Sequence, residues 1–170
     1  ALGKVREAGK KVIAIGDSFD QGQYYLAAHA DEVYLNDLGA VYVDGFGYYR
    51  TFFKSALDKL RVDLNVFRVG EYKSFVEPFI RDDMSAEDKA ASRQWLQAMW
   101  TVYQRDVAGA RKLPAQSLDE YANEFAARLQ DAGGSASRVA LESGLVDKLM
   151  SRQEFRDHMI GVVGEMEGEE

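Results

Sequence analysis

Apolar and polar positions recur along this chain with two different periods, and the places where the period changes mark its elements. Leu2 to Ala8 reads as the last turns of a helix stopped at Gly9, and Lys11 to Ile15 as a short buried strand. The turn Gly16 to Asp20 hands over to a helix from Gln21 to about Ala30, and Asp31-Glu32 opens a strand from Val33 to Leu35. Gly39 to Gly47 (GAVYVDGFG) alternates Val41 and Val43 with Tyr42 and Asp44, which predicts another strand. A helix from Tyr48 to Leu60 comes next, its apolar positions Phe52, Phe53, Ala56, Leu57 and Leu60 spaced by three and four. Val62 to Val69 alternates again and closes on Gly70, a strand running into the core. Strands joined through helices argue for βαβ units, and so for an α/β fold with a mostly parallel sheet.

Beyond Pro78 the pattern turns helical. Ser85 with Asp88 reads as a capping box for a helix to about Lys112, with a stripe of Leu96, Met99, Tyr103, Val107 and Ala110. Such a helix, about 28 residues long, spans roughly 42 Å, more than one compact domain needs. Its free end is expected to meet another subunit or another part of the protein. Trp95 and Trp100 are candidate anchors for that contact, with ordinary core packing as the alternative. Ser117 with Glu120 caps a helix to Ala132, Ser135 to Glu142 forms a short one, and Ser151 with Glu154 begins the last helix. Residues 1–84 form the sheet region and 85–170 a helical portion of the same domain.

Composition narrows the classes. A chain of 170 residues with 46% hydrophobic content is enough for one domain with a real core. A net charge of −7, with no basic stripe, argues against nucleic acid as a partner. The absence of cysteine excludes a disulfide frame, a thiolate metal site and a thiol nucleophile. His29 and His158 have no Asp, Glu or Cys at metal-ligand spacing, so no metal or other cofactor is expected.

Two places carry candidate chemistry. Lys73 stands just beyond the carboxyl end of a predicted strand, where open α/β sheets put their active crevices. Ser18 lies in a strand-to-helix turn (IGDSF), which is how several hydrolases expose a nucleophile. As a GDSL-type esterase the chain would complete a triad with Asp157 and His158, but these two are adjacent and point apart on a helix. Asp and Ser are also ordinary turn formers.

The segment FRVGEYKSFVEPFIRDDMS (Phe67 to Ser85) resembles the stretch around the lysine of the signal peptide peptidase A (protease IV) family in its long, two-halved bacterial form. GQYYLAAHADEVYLN (Gly22 to Asn36), Gly45-Phe46 and KSALDKLRVDLNVFRVG (Lys54 to Gly70) are similar to the amino-terminal half of that enzyme, and the likeness runs from about Lys10 to Leu149. The resemblance implies a ClpP/crotonase-like fold and a Ser-Lys dyad in which Lys73 is the general base. In halves that carry the nucleophile, the serine directly precedes a Gly-Gly-Tyr run. Aligning Gly22 and Tyr24 with that run puts Gln21 in the serine's place, and an amide cannot attack an acyl group.

The resemblance therefore implies a serine supplied by a carboxyl-terminal half, a membrane anchor upstream of this stretch, and a chain that is inert alone. It further implies signal-peptide remnants as substrates, a homo-oligomer, namely a tetramer, and a place on the periplasmic side of the bacterial inner membrane. The non-catalytic alternative is a scaffold half used for oligomerisation. For Lys73 to serve as a base near neutrality its pKa must fall from about 10.4 to about 7–8, which costs roughly 4 kcal/mol and needs desolvation or a neighbouring cation. Tyr72, Phe75, Val76 and Phe79 offer apolar cover, whereas Glu71 and Glu77, if close, keep the lysine charged. In this chain alone Lys73 is expected to be an ordinary protonated lysine.

Overall fold

The computed structural model describes residues 2–65 and 74–164. The chain is mixed α/β and divides into two units, Ala1–Gly45 with Val102–Glu170, and Phe46–Thr101.

In the first unit, α1 (Leu2–Glu7) ends where Gly9 takes a φ of +72°. β1 (Ile13–Gly16), α2 (Gln21–Ala27) and β2 (Glu32–Leu35) form a βαβ unit with β1 and β2 parallel, Ile13 opposite Glu32 and Gly16 opposite Leu35. The start of α2 is set by Asp20, whose carboxylate accepts the Gln23 amide while the Gln23 side chain accepts the Asp20 amide. This reciprocal cap satisfies two amides that the first helical turn leaves open.

β2 is the central strand of the sheet, paired on its other side with the parallel β3 (Lys148–Leu149). Val33, Tyr34 and Leu35 are accordingly buried on both faces. β1 was expected to be buried, yet Ile15 remains 38% exposed. Among the described residues β1 pairs only with β2, so it is an edge strand covered less completely.

The core is closed by helical residues. α6 (Ser117–Asp131) contributes Leu118 and Tyr121, α7 (Ala136–Glu142) contributes Val139 and Ala140, and the carboxyl-terminal part of a long helix brings Tyr103, Val107 and Ala108. Two buried tyrosines are held by their hydroxyls: Tyr24 donates to the Leu145 carbonyl at 2.6 Å and Tyr121 to the Val41 carbonyl at 2.7 Å. Each links segments far apart in sequence and leaves no phenol stranded in apolar surroundings. α8 (Arg152–Val163) starts at Ser151, whose hydroxyl accepts the Glu154 amide while Glu154 reaches back to Ser151, as the sequence predicts.

The predicted strand over Gly39–Gly47 is reduced to one parallel bridge, Phe19 opposite Val41. The Phe19 amide donates to the Ala40 carbonyl at 2.9 Å, and the Tyr42 amide donates to the Phe19 carbonyl at 2.8 Å. The partner segment then coils into α2, so the backbone ladder stops after one residue. Ser117, predicted as a cap, is the first residue of α6, and Gln116 occupies the capping position without a side-chain bond.

In the second unit, α3 covers Lys54–Leu60, shorter than the predicted Tyr48–Leu60. Its beginning is fixed from a distance, because the Phe53 amide donates to the Pro78 carbonyl and Asp82 accepts both the amide and the hydroxyl of Ser55. Residues 62–65 are not in a strand, and the remainder of the strand predicted to Val69 lies outside the described residues. A 3₁₀ turn (Ser74–Val76) leads into α4 (Glu77–Ile80), and α5 (Ala86–Arg111) begins here and ends in the first unit. The Ser85 hydroxyl accepts the Asp88 amide at 3.1 Å at the start of α5. Of its predicted stripe, Tyr103 and Val107 are buried while Met99 is exposed. Tyr48 meets Trp95 edge-on at 5.9 Å and Phe46 meets Trp100 at 6.3 Å. Phe46 lies at the end of the predicted strand and Tyr48 at the start of the stretch expected to be helical. Trp95 packs on one side and keeps 43% of its surface exposed. Among the described residues, no helix is long and apolar enough to cross a membrane.

Candidate active site

Lys73, with Glu71 and Tyr72, lies outside the described residues. From Ser74 onward the chain is described again. Phe75 is 82% exposed, and Phe79 stacks on Phe53 with ring centroids 5.9 Å apart. Glu77, expected to keep the lysine charged if close to it, is buried, and its Oε2 accepts the Ser85 amide at 3.0 Å. Burial pushes this carboxyl up, but the Ser85 hydrogen bonds and the Arg81 and Arg50 charges outweigh it and hold the pKa below the ordinary value. Glu77 is therefore an ionised structural link between α4 and the start of α5.

In the first unit the stretch Asp17 to Gln21 connects β1 to α2. Asp17 pairs with Arg152 at the start of α8, and the hydrogen bond from that guanidinium holds its carboxyl below the ordinary range. Ser18 donates to the Asp17 carbonyl at 2.8 Å and accepts the Ala40 amide at 3.2 Å. Its hydroxyl thus ties a turn to the neighbouring loop. The two other members of the considered esterase triad are engaged apart from it. Asp157 accepts the Gln153 side-chain amide at 2.9 Å, and His158 Nε2 stands 3.2 Å from the Tyr34 hydroxyl. Burial and a hydrogen bond to Glu32 push the Tyr34 phenol up to about 12, so it stays protonated near neutrality. His29 packs on Tyr25 with ring centroids 5.2 Å apart and its Nδ1 at 2.7 Å from the Tyr25 carbonyl. Both histidines are packing residues.

Gln21 occupies the first position of α2 and is bonded on two sides. Its side-chain Oε1 accepts the amides of Gly45 at 2.9 Å and Asp44 at 3.2 Å, and its backbone carbonyl accepts the Tyr103 hydroxyl at 3.0 Å. A side chain that ends in an amide has no nucleophilic atom to offer an acyl group, and this one is already committed to two donors. The sequence singles out residue 21 only through the resemblance, whose alignment sets it against a serine. Nothing in it indicates the bonds to Asp44 and Gly45, which come from a segment more than twenty residues downstream.

Comparison with known proteins places these features in a family. The chain is 41% identical over 164 residues to Protease 4 of Haemophilus influenzae, covering 96% of this chain and 27% of that protein. It is 42% identical over 151 residues to Protease 4 of Salmonella typhi, covering 89% of this chain and 24% of that protein. The chain thus spans about a quarter of the length of these relatives. The family profile described as Peptidase family S49 matches residues 4–160. With nearly its whole length so matched, the chain belongs to Peptidase family S49.

Proposed function

We propose that this chain is a fragment of the lysine-bearing, amino-terminal half of a serine peptidase that degrades cleaved signal peptides on the periplasmic side of the bacterial inner membrane. Lys73 is the general base, and the carboxyl-terminal half of the same enzyme supplies the serine. The observation that carries the reading is Gln21: the position that aligns with the nucleophile holds an amide turned onto two backbone donors. Membership of a peptidase family and a match to about a quarter of each relative's length support it. The ClpP/crotonase-like architecture belongs to the same reading, with the small parallel sheet in its support.

In this mechanism neutral Lys73 Nζ takes the proton of the serine hydroxyl as the oxygen attacks the scissile carbonyl. The ammonium then gives the proton to the departing amine, and the ester left on the serine is hydrolysed by water with the lysine again as base. Assembly into a homo-oligomer, a tetramer, buries the lysine enough to lower its pKa. A reagent that phosphonylates active serines tests the division of labour. It labels the complete protein on a serine outside these 170 residues and leaves the isolated chain unlabelled. Labelling of a serine within the chain overturns the reading.

A further inference from the structure

Side by side, Phe19 and the loop after Gly39 begin a parallel ladder. The Phe19 carbonyl takes the Tyr42 amide at 2.8 Å. In a parallel pair the next rung, two residues on, joins the carbonyl of residue 21 to the amide of residue 44. At that point the chain has turned into α2, and the Gln21 backbone carbonyl accepts the Tyr103 hydroxyl instead. The rung is nevertheless made, because Gln21 Oε1 accepts the Asp44 amide at 3.2 Å and the Gly45 amide at 2.9 Å. Gly45 has a φ of +86°, in the left-handed region where successive amides can converge on one oxygen. The loop that presents these donors is anchored just upstream: Val41 and Val43 are buried, and the Val41 carbonyl takes the Tyr121 hydroxyl at 2.7 Å.

We propose that the amides of Asp44 and Gly45 form a two-donor pocket for the carbonyl oxygen of an extended peptide, which Gln21 fills with its own amide and so keeps closed. The class of ligand is set by the occupant and the charges. A side-chain carboxamide is chemically a peptide carbonyl, and the ladder it continues is one that an added strand would continue in the same register. The carboxylates of Asp20 and Asp44, on residues adjacent to the pocket, disfavour a free anion. A neutral peptide is therefore the fitting guest. All residues of the pocket belong to the first unit, and its chemistry is independent of the role given to Lys73.

The test tracks the Asp44 and Gly45 amides by nitrogen-15 NMR in the full 170-residue chain, titrated with acetyl-trialanine amide, a neutral capped peptide. In Gln21→Ala and in Gln21→Asn, whose shorter side chain withdraws the oxygen, both signals shift saturably. In the unsubstituted chain they do not move at the same peptide concentrations. Equal responses of substituted and unsubstituted chains, or no response in either variant, overturn the proposal. Hydrogen exchange of the unsubstituted chain gives a reading free of any effect of substitution on folding. Filled donors exchange at least about tenfold more slowly than free amides, equivalent to about 1.4 kcal/mol. Exchange of both at the free rate refutes the closed pocket.

Discussion

Arg111 and Asp147 meet at two points, Nη1 to Oδ2 at 3.0 Å and Nη2 to Oδ1 at 2.8 Å, and the same Oδ2 also accepts the Val33 amide at 2.7 Å. The pair thereby ties the end of α5 to β2 and to the start of β3. Arg111 is only 9% exposed and also donates to the Gly144 carbonyl. Removing its partner leaves a mostly buried cation underbonded. Asp147→Ala should lower stability by about 1–3 kcal/mol, below the full cost of breaking a buried pair because the aspartate side is partly solvated. Denaturant unfolding measures it, with Arg111→Ala expected in the same range.

The same pair gives a pH dependence. Burial pushes the Asp147 carboxyl up, but the Arg111 hydrogen bond, the Val33 amide and the Arg111 charge outweigh it and hold the pKa below the ordinary value. A carboxyl depressed in the folded state adds stability above its unfolded pKa of about 3.9 and loses it as pH falls through the lower folded value. Unfolding free energy should therefore decline from about pH 4 downward. The decline should be shallower in Asp147→Asn.

Gly39 is required by a close approach. A Cβ built there lies 2.0 Å from the Asp17 carbonyl oxygen and 2.9 Å from Leu35 Cδ1. The first obstacle is backbone and cannot rotate away. Gly39→Ala is expected to cost on the order of 3 kcal/mol and to disturb the contact that presents Phe19 to the loop. A melting temperature within a degree of the parent would contradict this.

Two serines that look alike in sequence should behave differently. Ser151 closes a reciprocal cap with Glu154, so Ser151→Ala costs about 1 kcal/mol. Ser117 is already inside α6, so Ser117→Ala stays within about 0.5 kcal/mol. Chemical denaturation of the two variants in parallel distinguishes a cap from a helical residue.

Ser18 acts as a turn residue. Its hydroxyl serves the Asp17 carbonyl and the Ala40 amide. The chain should hydrolyse a small ester such as p-nitrophenyl acetate no faster with Ser18 than with Ser18→Ala, and the substitution should cost about 0.5–1.5 kcal/mol of stability.

What the sequence made legible was local chemistry. Gly9 after α1, Ser135 before α7 and the Ser151–Glu154 box announce helix ends through side chains one to three residues away. The box made by Asp20 and Gln23 carries the same kind of signal, hidden within a stretch read as a turn. Features decided at a distance could not be read. α3 starts at Lys54 because Asp82 and the Pro78 carbonyl satisfy its first turn, and the aromatics Phe46 and Tyr48, read as strand end and helix start, pack against Trp100 and Trp95. The alternation of Gly39–Gly47 correctly marks an apolar face, with Val41 and Val43 buried. Strand pairing there ends after Phe19 because its partner becomes a helix. At the candidate site, Gln21 was singled out in the sequence by the resemblance, whereas its bonding to Asp44 and Gly45 was not legible there.

The central claim is that this chain contributes the proton acceptor of a peptidase whose attacking hydroxyl lies elsewhere, and it is tested most directly in the complete protein carrying Lys73→Ala. Loss of the general base should lower kcat/KM for peptide cleavage by about 10²- to 10⁴-fold, with circular dichroism and oligomeric state unchanged, and Lys73→Arg should not restore it because a guanidinium stays protonated. Cleavage by Lys73→Ala within a few-fold of the parent enzyme would contradict the claim.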